Sequence, residues 1–189
     1  MSVAALVLAA GASRRLGRAK QTVVLGGEML VDRAIRVATE AGLAPVIVVV
    51  RGGSEIAQMV YGKACEVVLN EQANEGLASS IRNGLVRAIE LQVDGAVLMA
   101  CDQVGLTAEH LRELSADVNA VRGSGYGGRT GVPAYFPASS FGRLLELRGD
   151  VGARELLRGA ETVIDEGLEL DIDTEADIER ARKLFAQHV

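Results

Sequence analysis

Four short apolar runs are the strongest feature of the hydrophobic pattern. Their residues are nearly continuous rather than alternating, as expected of strands that are buried on both faces of a sheet. Strands of this kind belong to parallel sheets, in which crossover helices cover both faces. The four runs are Val3–Ala9, Val46–Val50, Glu66–Leu69 and Ala96–Ala100.

Stretches with helical spacing separate these runs, so that strands and helices alternate over the first hundred residues. This order predicts βαβ crossovers and therefore a Rossmann-like α/β fold, in which a doubly wound, mostly parallel sheet carries helices on both faces. Ligands of such sheets bind at the C-terminal ends of the strands. The apolar helix positions are Leu30, Ala34, Ile35 and Ala38 in one helix and Leu77, Ile81, Leu85 and Ile89 in another.

The second half of the chain has a different sequence pattern. Thr107 is a typical N-cap for a helix that reaches Leu114, and the glycine-rich segment Gly123–Gly131 predicts a loop or a hairpin. Thr174 and Asp177 have the spacing of a capping box at the start of a last amphipathic helix. Because the chain shows no internal repeat and no linker, we expect one domain over residues 1–189.

Composition excludes several classes of function. The 189 residues are 49% hydrophobic and carry a net charge of −5, which argues against disorder and against a broad basic face for nucleic acid. Two cysteines without CxxC spacing favour a reducing compartment. The apolar run near the start is far shorter than the ~20 residues of a membrane helix. We therefore expect a cytoplasmic protein that binds neither nucleic acid nor membrane.

A glycine-containing basic loop, Gly11–Lys20, follows the first strand directly. It contains two glycines, a hydroxyl group and four cations, which together suit the phosphates of a nucleotide. The spacing of Gly11, Gly17 and Lys20 is not that of a Walker A loop. A solvated basic turn is the alternative. A second glycine-rich match, at Gly123–Gly128, leads into no helix and is not interpreted as a dinucleotide site.

Asp102 lies directly after the fourth apolar run, where its carboxylate would enter the crevice of the sheet. Mg²⁺ is typically held by one or two carboxylates together with phosphate oxygens of the substrate, so Asp102 is a candidate metal ligand. Capping of the next turn explains an aspartate here equally well. Asp171 and Asp173 would share one side of an extended segment, and one of them is a candidate to complete the metal site.

Polar residues also follow the third strand. Asn70 and the serines of Gly76–Ser80 stand where a helix begins, so their hydroxyl and N–H groups could hold a ribose or a phosphate. Plain N-capping by Ser79 or Ser80 is the competing interpretation.

Taken together, these segments resemble the molybdenum-cofactor nucleotidyltransferases, a branch of the wider family of sugar-phosphate and polyol-phosphate nucleotidyltransferases. The resemblance covers nearly the whole chain and begins with the family signature LAAG-x-S-x-R-x-G-x-x-K, in which Leu16 replaces the usual Met. The matching positions are Leu8, Ala9, Ala10, Gly11, Ser13, Arg15, Gly17 and Lys20, then Asn70, Gly76, Ser79 and Ser80, Cys101–Gln103, Gly131, Pro133 and Phe136, Gly149–Arg154, and Asp171, Asp173, Thr174 and Asp177.

The resemblance implies a nucleotide-diphospho-sugar transferase-like fold and a transfer in which the terminal phosphate of molybdopterin attacks the α-phosphate of a nucleoside triphosphate. It implies catalytic roles for Arg15, Lys20 and Asp102, with Mg²⁺ held by Asp102 and Asp173. It also implies that the nucleotide is bound by Leu8, Ala9, Ala10, Gly11, Ser13, Gly17, Lys20, Asn70, Ser79 and Ser80.

The LAAG, Cys-Asp-Gln and Gly-Asp-x-Gly-Ala-Arg segments resemble the cytidylyltransferase members most, so CTP is the expected nucleotide. Val132 replaces a histidine that those members commonly carry, which leaves the acceptor less defined than the nucleotide chemistry. Transfer from GTP, a phosphate acceptor that is not a pterin, and a non-catalytic cofactor carrier remain alternatives. A molybdoenzyme or its maturation chaperone is a further expected partner. Arg129, Arg148 and Arg154 are either ligands of the acceptor phosphate or ordinary surface cations.

Overall fold

The computed structural model describes residues 2–13 and 15–186, and the four apolar runs form four parallel strands of its main sheet. Three of these runs are buried as predicted, but the prediction is wrong for the run at residues 66–69, which lies at the edge of the sheet and leaves Leu69 50% exposed. The strands are β1 Val3–Leu8, β2 Val24–Leu25, β3 Glu28–Met29, β4 Val46–Arg51, β5 Glu66–Asn70, β6 Gly95–Ala100, β7 Arg122–Tyr126, β8 Arg129–Pro137 and β9 Glu161–Ile164. The α-helices are α1 Leu30–Glu40, α2 Glu55–Val60, α3 Leu77–Glu90, α4 Ala108–Leu114, α5 Phe141–Leu145 and α6 Glu175–Ala186.

The main sheet has seven strands in the order β5-β4-β1-β6-β8-β7-β9. Its pairs are parallel except those of β8, which runs antiparallel to both β6 and β7. The predicted mostly parallel, Rossmann-like sheet is therefore confirmed. The short strands β2 and β3 form a separate antiparallel pair.

Alternate residues of the central strands face opposite layers of helices. In β1, Ala5 and Val7 pack in a cluster with residues of α1, α2 and α4, whereas Ala4 and Leu6 pack with residues of α3 and α5. This follows from the two-residue period of a strand, and it explains why both sets of side chains are apolar. The sheet is thus covered on both faces, as expected.

The order of the strands creates a switch point at the C-terminal ends of β1 and β6. The chain leaves β1 through α1 toward β4 on one side, and it later returns through α3 to β6 on the other side. Two neighbouring strands whose connections leave in opposite directions open a crevice between them. The basic loop after β1 and Asp102 after β6 both meet at this crevice.

The glycine-rich segment of the second half forms a hairpin, one of the two predicted outcomes. Strands β7 and β8 pair antiparallel around Gly127 and Gly128, which have φ values of +53° and +70°. Positive φ is nearly free of steric cost in glycine, so these two residues permit the turn. The hairpin brings Tyr126, Arg129 and Val132 to the edge of the crevice.

Both predicted caps are present. The Thr107 side chain accepts a hydrogen bond from the backbone N–H of His110 at the start of α4. The hydroxyl of Thr174 accepts one from the backbone N–H of Asp177, and the Asp177 carboxylate accepts the N–H of Thr174 in return, at 2.7 Å. This reciprocal pair is a capping box, and it fixes the chain just before α6.

Candidate active site

A cavity of about 380 Å³ opens at the switch point. One end is formed by the loop after β1 and by Asp102, and the other end is formed by the β7–β8 hairpin and the segment before β9. Its walls are mainly apolar, with cations at both ends. The lining residues are Leu8, Ala10, Gly11, Lys20, Gln21, Leu77, Ser80, Ile81, Leu98, Ala100, Asp102, Tyr126, Arg129–Val132, Gly152–Arg154 and Leu157.

The loop after β1 is held in shape by its own polar groups. The hydroxyl of Ser13 accepts a hydrogen bond from the backbone N–H of Lys20 at 3.0 Å, and Ser13 itself has a φ of +47°. The side-chain amide of Gln21 donates to the carbonyl groups of Ala9 at 2.6 Å and Gly11 at 3.2 Å. These contacts close the loop into a compact turn. Arg14, one of its four cations, lies outside the described residues.

Gln21 was missed by sequence reasoning. It is almost completely buried, with 2% of its surface exposed, directly beneath the loop. A glutamine one residue after the signature lysine is an ordinary surface residue by its type alone. Only its burial shows that it ties the loop to the end of β1.

The Lys20 ammonium group lies between two carboxylates. Its Nζ atom is hydrogen-bonded to Asp102 and lies 3.3 Å from Oδ1 of Asp173. Burial by itself lowers the pKa of Lys20, but the charge and hydrogen bond of Asp102, with the charge of Asp173, outweigh it and raise that pKa above its usual value. Lys20 is therefore a fixed positive charge beside the crevice.

Asp173 reaches this cluster because its segment returns to the end of β6. The backbone N–H of Ile172 donates to the carbonyl of Asp102 at 3.2 Å, and residues 103 and 171 form an antiparallel bridge. On the other side, the Asp177 carboxylate accepts the backbone N–H of Asp173 at 3.2 Å. Two parts of the chain that are distant in sequence thus place Asp102 and Asp173 around one lysine.

Asp171 is the second carboxylate of the extended segment. Burial, followed by the negative charge of Asp102, raises its pKa to about 6. Its Oδ1 atom is buried without a hydrogen-bond partner among the described residues. Asp171 therefore adds to the negative potential beside Asp102 without contacting Lys20 directly.

The carboxylates suit a hard divalent cation that is shared with a phosphate. Asp102 and Asp173 both reach Lys20 Nζ, so they present oxygen atoms to one small volume. Among the described residues there is no cluster of three or more His, Cys, Asp or Glu side chains arranged to hold a metal. A cation here would take two carboxylates from the protein and complete its shell with phosphate oxygens, as Mg²⁺ typically does.

Arg15 extends over the outside of the cluster. Its Nη2 atom lies 3.1 Å from Oδ2 of Asp173, and 76% of its side chain is exposed. Arg15 is therefore near the predicted metal ligands but is free to move toward a phosphate. Gly17, with a φ of +72°, completes the turn that separates Arg15 from Lys20.

The predicted nucleotide residues after β5 fall into two groups. Asn70 and Ser79 are completely buried, and the Asn70 amide donates to the hydroxyls of Ser79 at 2.9 Å and Ser80 at 3.0 Å. Ser80 also lines the cavity, whereas Asn70 and Ser79 support it from behind. A direct nucleotide contact is thus geometrically open to Ser80 and to the loop residues.

The opposite end of the cavity carries two of the three arginines singled out in the sequence. Arg129 lies over the ring of Tyr126, with its guanidinium carbon 5.2 Å from the ring centre, and Arg154 lines the same wall. Arg148 instead donates to the carbonyls of Leu145 and Leu147. The structure therefore separates two arginines that face the cavity from one that closes a loop.

Gln103 connects Asp102 to this far wall; the sequence singled it out only as part of the Cys-Asp-Gln match and assigned it no role. Its side-chain amide donates to the carbonyl of Val132 at 2.9 Å and to the hydroxyl of Tyr126 at 3.3 Å. Tyr126 donates to the same Val132 carbonyl at 2.8 Å. The residue that follows the candidate metal ligand thus fixes the hairpin to the end of β6.

The α/β fold and the basic loop after β1 together define a nucleotidyltransferase. The family model of the MobA-like NTP transferase domain matches residues 5–165, and the chain belongs to this family. The sequence is 31% identical over 195 aligned positions to the purine catabolism protein PucB of Bacillus subtilis, with 95% of each chain covered. It is 33% identical over 113 positions to a probable molybdenum cofactor guanylyltransferase of Opitutus terrae, covering 60% of this chain and 54% of that one.

Solved structures agree with this assignment. The crystal structure of Rv0371c from Mycobacterium tuberculosis superposes with a TM-score of 0.84 at 29% identity, covering 97% of this chain and 98% of that one. A complex of Rv0371c with manganese has a TM-score of 0.79 at 26% identity, over the same shares of the two chains. That relative binds a divalent metal. Among the residues described here, no helix is long and apolar enough to cross a membrane.

Proposed function

We propose that this protein transfers CMP from CTP to the terminal phosphate of molybdopterin, with Mg²⁺ as the metal and pyrophosphate as the leaving product. The observation that carries the proposal is the position of Lys20 between Asp102 and Asp173 at the mouth of the cavity. This cluster combines a fixed cation with carboxylates for a metal, which is what a triphosphate requires. The loop from Gly11 to Lys20 adds backbone N–H groups beside it.

The reaction is a displacement at the α-phosphorus. An oxygen of the acceptor phosphate forms a new bond to that phosphorus, the bond to the β-phosphate oxygen breaks, and pyrophosphate leaves with the electron pair. Mg²⁺ held by Asp102 and Asp173 would neutralise phosphate charge. Lys20 and Arg15 stabilise the charge that develops on the leaving pyrophosphate, and the loop aligns the triphosphate. Alignment and charge neutralisation of this kind supply about 10 kcal/mol or more of barrier lowering.

The apolar cavity suits the organic part of the acceptor. Leu8, Leu98 and Val132 supply apolar walls, and Tyr126 offers an aromatic ring, while Arg129 and Arg154 stand at the far end. A flat heterocycle with an anionic group matches this combination of surfaces. Molybdopterin has both features, so the cavity supports the acceptor that the sequence suggests.

A second candidate is guanylyl transfer, because the Opitutus terrae relative carries the name molybdenum cofactor guanylyltransferase. A phosphate acceptor other than a pterin is a related candidate that the replacement at Val132 leaves open, and the relative matched over 95% of both chains has a name that mentions no molybdenum cofactor. A non-catalytic carrier would have no need of the Lys20–Asp102–Asp173 cluster. We therefore rank the carrier last.

We propose that residues 1–189 act as one nucleotidyltransferase domain in the cytoplasm. The product would pass to a molybdoenzyme or to its maturation chaperone.

The deciding experiment measures pyrophosphate release by the purified protein with Mg²⁺ and molybdopterin, in parallel with CTP, GTP, ATP and UTP. We expect release with CTP and little release with the other three. Release with GTP alone would replace CTP in the proposal. No release with any nucleotide, while a control enzyme uses the same molybdopterin, would overturn the acceptor.

A further inference from the structure

A second cavity, of about 320 Å³, adjoins the main cavity at the basic loop after β1. The two cavities share Ala10, Gly11, Leu77 and Ser80, so a triphosphate held by the loop has access to both. The main cavity is apolar and wide, as suits the acceptor. The second cavity is lined by the polar side chains of Ser13, Arg51, Asn74, Ser80 and Asp150, which makes it the better place for a nucleoside.

Asp150 is the one acidic residue among the residues that line this second cavity. Its loop sits directly on the start of α3, because the backbone N–H of Ala78 donates to the carbonyl of Gly149 at 3.0 Å. Gly76 makes this close approach possible. A Cβ atom at position 76 would lie 2.5 Å from Oδ1 of Asp150 and 2.5 Å from the Gly149 carbonyl. Gly76 also has a φ of +102°, which residues other than glycine rarely adopt.

Asp150 is exposed and lines this cavity, so its carboxylate is an acceptor that a ligand can reach. Within the described residues this carboxylate forms no hydrogen bond and no ion pair, so no protein group competes with a ligand for it. Arg51 stands in the same cavity and is oriented by the side-chain oxygen of Asn74, which accepts from its Nη1 at 2.7 Å. The cavity therefore offers one strong acceptor and one strong donor that are held by different parts of the chain.

We propose that Asp150 selects the nucleobase by accepting a hydrogen bond from its exocyclic amino group. This inference rests on the proposed nucleotidyl transfer and adds a specificity-determining residue to it. A carboxylate accepts from the amino group of cytosine, but it faces the carbonyl oxygen of uracil at the equivalent position and repels it. The guanidinium of Arg51 can donate to a base carbonyl, which completes the match to a base that carries both groups.

The test compares nucleotides that differ only in the amino group. Equilibrium binding of CTP and UTP, and of GTP and ITP, is measured with Mg²⁺ for the wild-type protein, for Asp150→Asn and for Asp150→Ala. We expect the wild-type protein to prefer the amino-bearing member of the pair that it binds by about tenfold or more. Asp150→Asn should narrow this gap to less than about threefold, because its amide can donate to a carbonyl as well as accept.

The matched control is Glu146→Gln, which removes the same charge from an exposed residue just before this loop. It should leave the preference unchanged, and thermal melting should show that all variants are folded. If both Asp150 variants still bind nucleotides and keep the full preference for the amino-bearing nucleotide, the inference about Asp150 is overturned. Failure of every nucleotide to bind would instead overturn the proposed function itself.

Discussion

The backbone N–H of Ile172 donates a hydrogen bond to the carbonyl oxygen of Asp102 at 3.2 Å. This contact, together with the antiparallel bridge between residues 103 and 171, holds the C-terminal segment at the end of β6. It places Asp173 opposite Asp102, with Lys20 between them. The site is therefore assembled from the first, middle and last parts of the chain, and its parts can be tested separately.

The first prediction concerns Asp102. Asp102→Asn should lower kcat/KM for nucleotidyl transfer by about 10²-fold or more, because the Asp102 carboxylate is more buried than that of Asp173, the other candidate metal ligand. Steady-state pyrophosphate release at increasing Mg²⁺ measures the effect. Asp32→Asn is the matched control, since Asp32 is also paired with a lysine, Lys63, but lies on α1 away from the crevice. Near wild-type transfer by Asp102→Asn would remove Asp102 from the metal site.

The second prediction concerns competition between Lys20 and a metal for the same oxygen atoms. In Lys20→Met the ammonium between the two carboxylates is lost and only Arg15 remains, beside Asp173, so the protein should be destabilised by about 1–2 kcal/mol in the absence of metal. Mg²⁺ or Mn²⁺ should then raise the melting temperature of the variant more than that of the wild-type protein, because the ammonium no longer competes.

The same variant should transfer nucleotide at least about 10²-fold more slowly, since the charge on the leaving pyrophosphate is no longer neutralised. Lys63→Met removes an equivalent ion-paired lysine elsewhere and should change neither property at the crevice. If metal stabilised the wild-type protein and Lys20→Met equally, the two carboxylates would not be the metal ligands.

The third prediction concerns Gly76. Gly76→Ala should reduce the free energy of unfolding by about 2 kcal/mol or more, since a φ of +102° and a backbone atom 2.5 Å away both oppose a Cβ atom. Urea denaturation measures this change. Gly142→Ala is the control, because Gly142 lies in α5 with no heavy atom within 4 Å of the added carbon. It should be neutral or should add up to about 1 kcal/mol through helix propensity.

The fourth prediction concerns His110, which is buried under the hairpin. Its Nε2 atom lies 2.7 Å from the Ser124 hydroxyl, and that hydroxyl donates to the carbonyl of Pro133 at 2.6 Å. Since the hydroxyl proton goes to Pro133, Nε2 must be the donor of the neutral ring. Burial lowers the pKa of His110, although Asp165, with Oδ2 at 3.7 Å from Nδ1, and Glu113 act in the opposite direction.

A lowered pKa means that the folded state binds fewer protons than the unfolded state near and below pH 6.5. The stability that the neutral ring contributes is thus present above pH 6.5 and is lost as the pH falls through the folded-state pKa, by up to about 1.4 kcal/mol per pH unit. Asp171 works in the opposite sense, because its pKa is raised to about 6. The stability that Asp171 contributes is present below pH 3.8 and is lost as the pH rises through 6.

The contribution of His110 is isolated by comparing the wild-type protein with His110→Gln, in which an amide replaces the Nε2 donor. Urea denaturation at pH 7.5 and pH 5.5 should show that the wild-type protein loses more stability on acidification than the variant does. An identical loss in both proteins would show that His110 does not gain a proton on unfolding.

Much of the fold is encoded locally. Continuous apolar runs specify where strands form, and the Thr174–Asp177 pair specifies where α6 begins, because each depends on residues within a few positions of one another. The basic loop after β1 and the placement of Asp102 after β6 could be predicted for the same reason. The loop and Asp102 each come after the end of a strand that the apolar pattern already identifies. Burial on both faces was predicted correctly for β1, β4 and β6 but not for the edge strand β5.

Other features depend on contacts between residues that are distant in sequence. The insertion of β8 as an antiparallel strand, the return of Asp173 to Asp102 and the seating of Asp150 on Gly76 have no local pattern. The burial of Asn70 and Ser79 behind Ser80, and of Gln21 beneath the loop, was likewise invisible. The sequence by itself determined which residues carry suitable chemistry and on which elements they lie. Only the tertiary structure decided which of them meet, because strand order and loop docking are set by packing across the whole sheet.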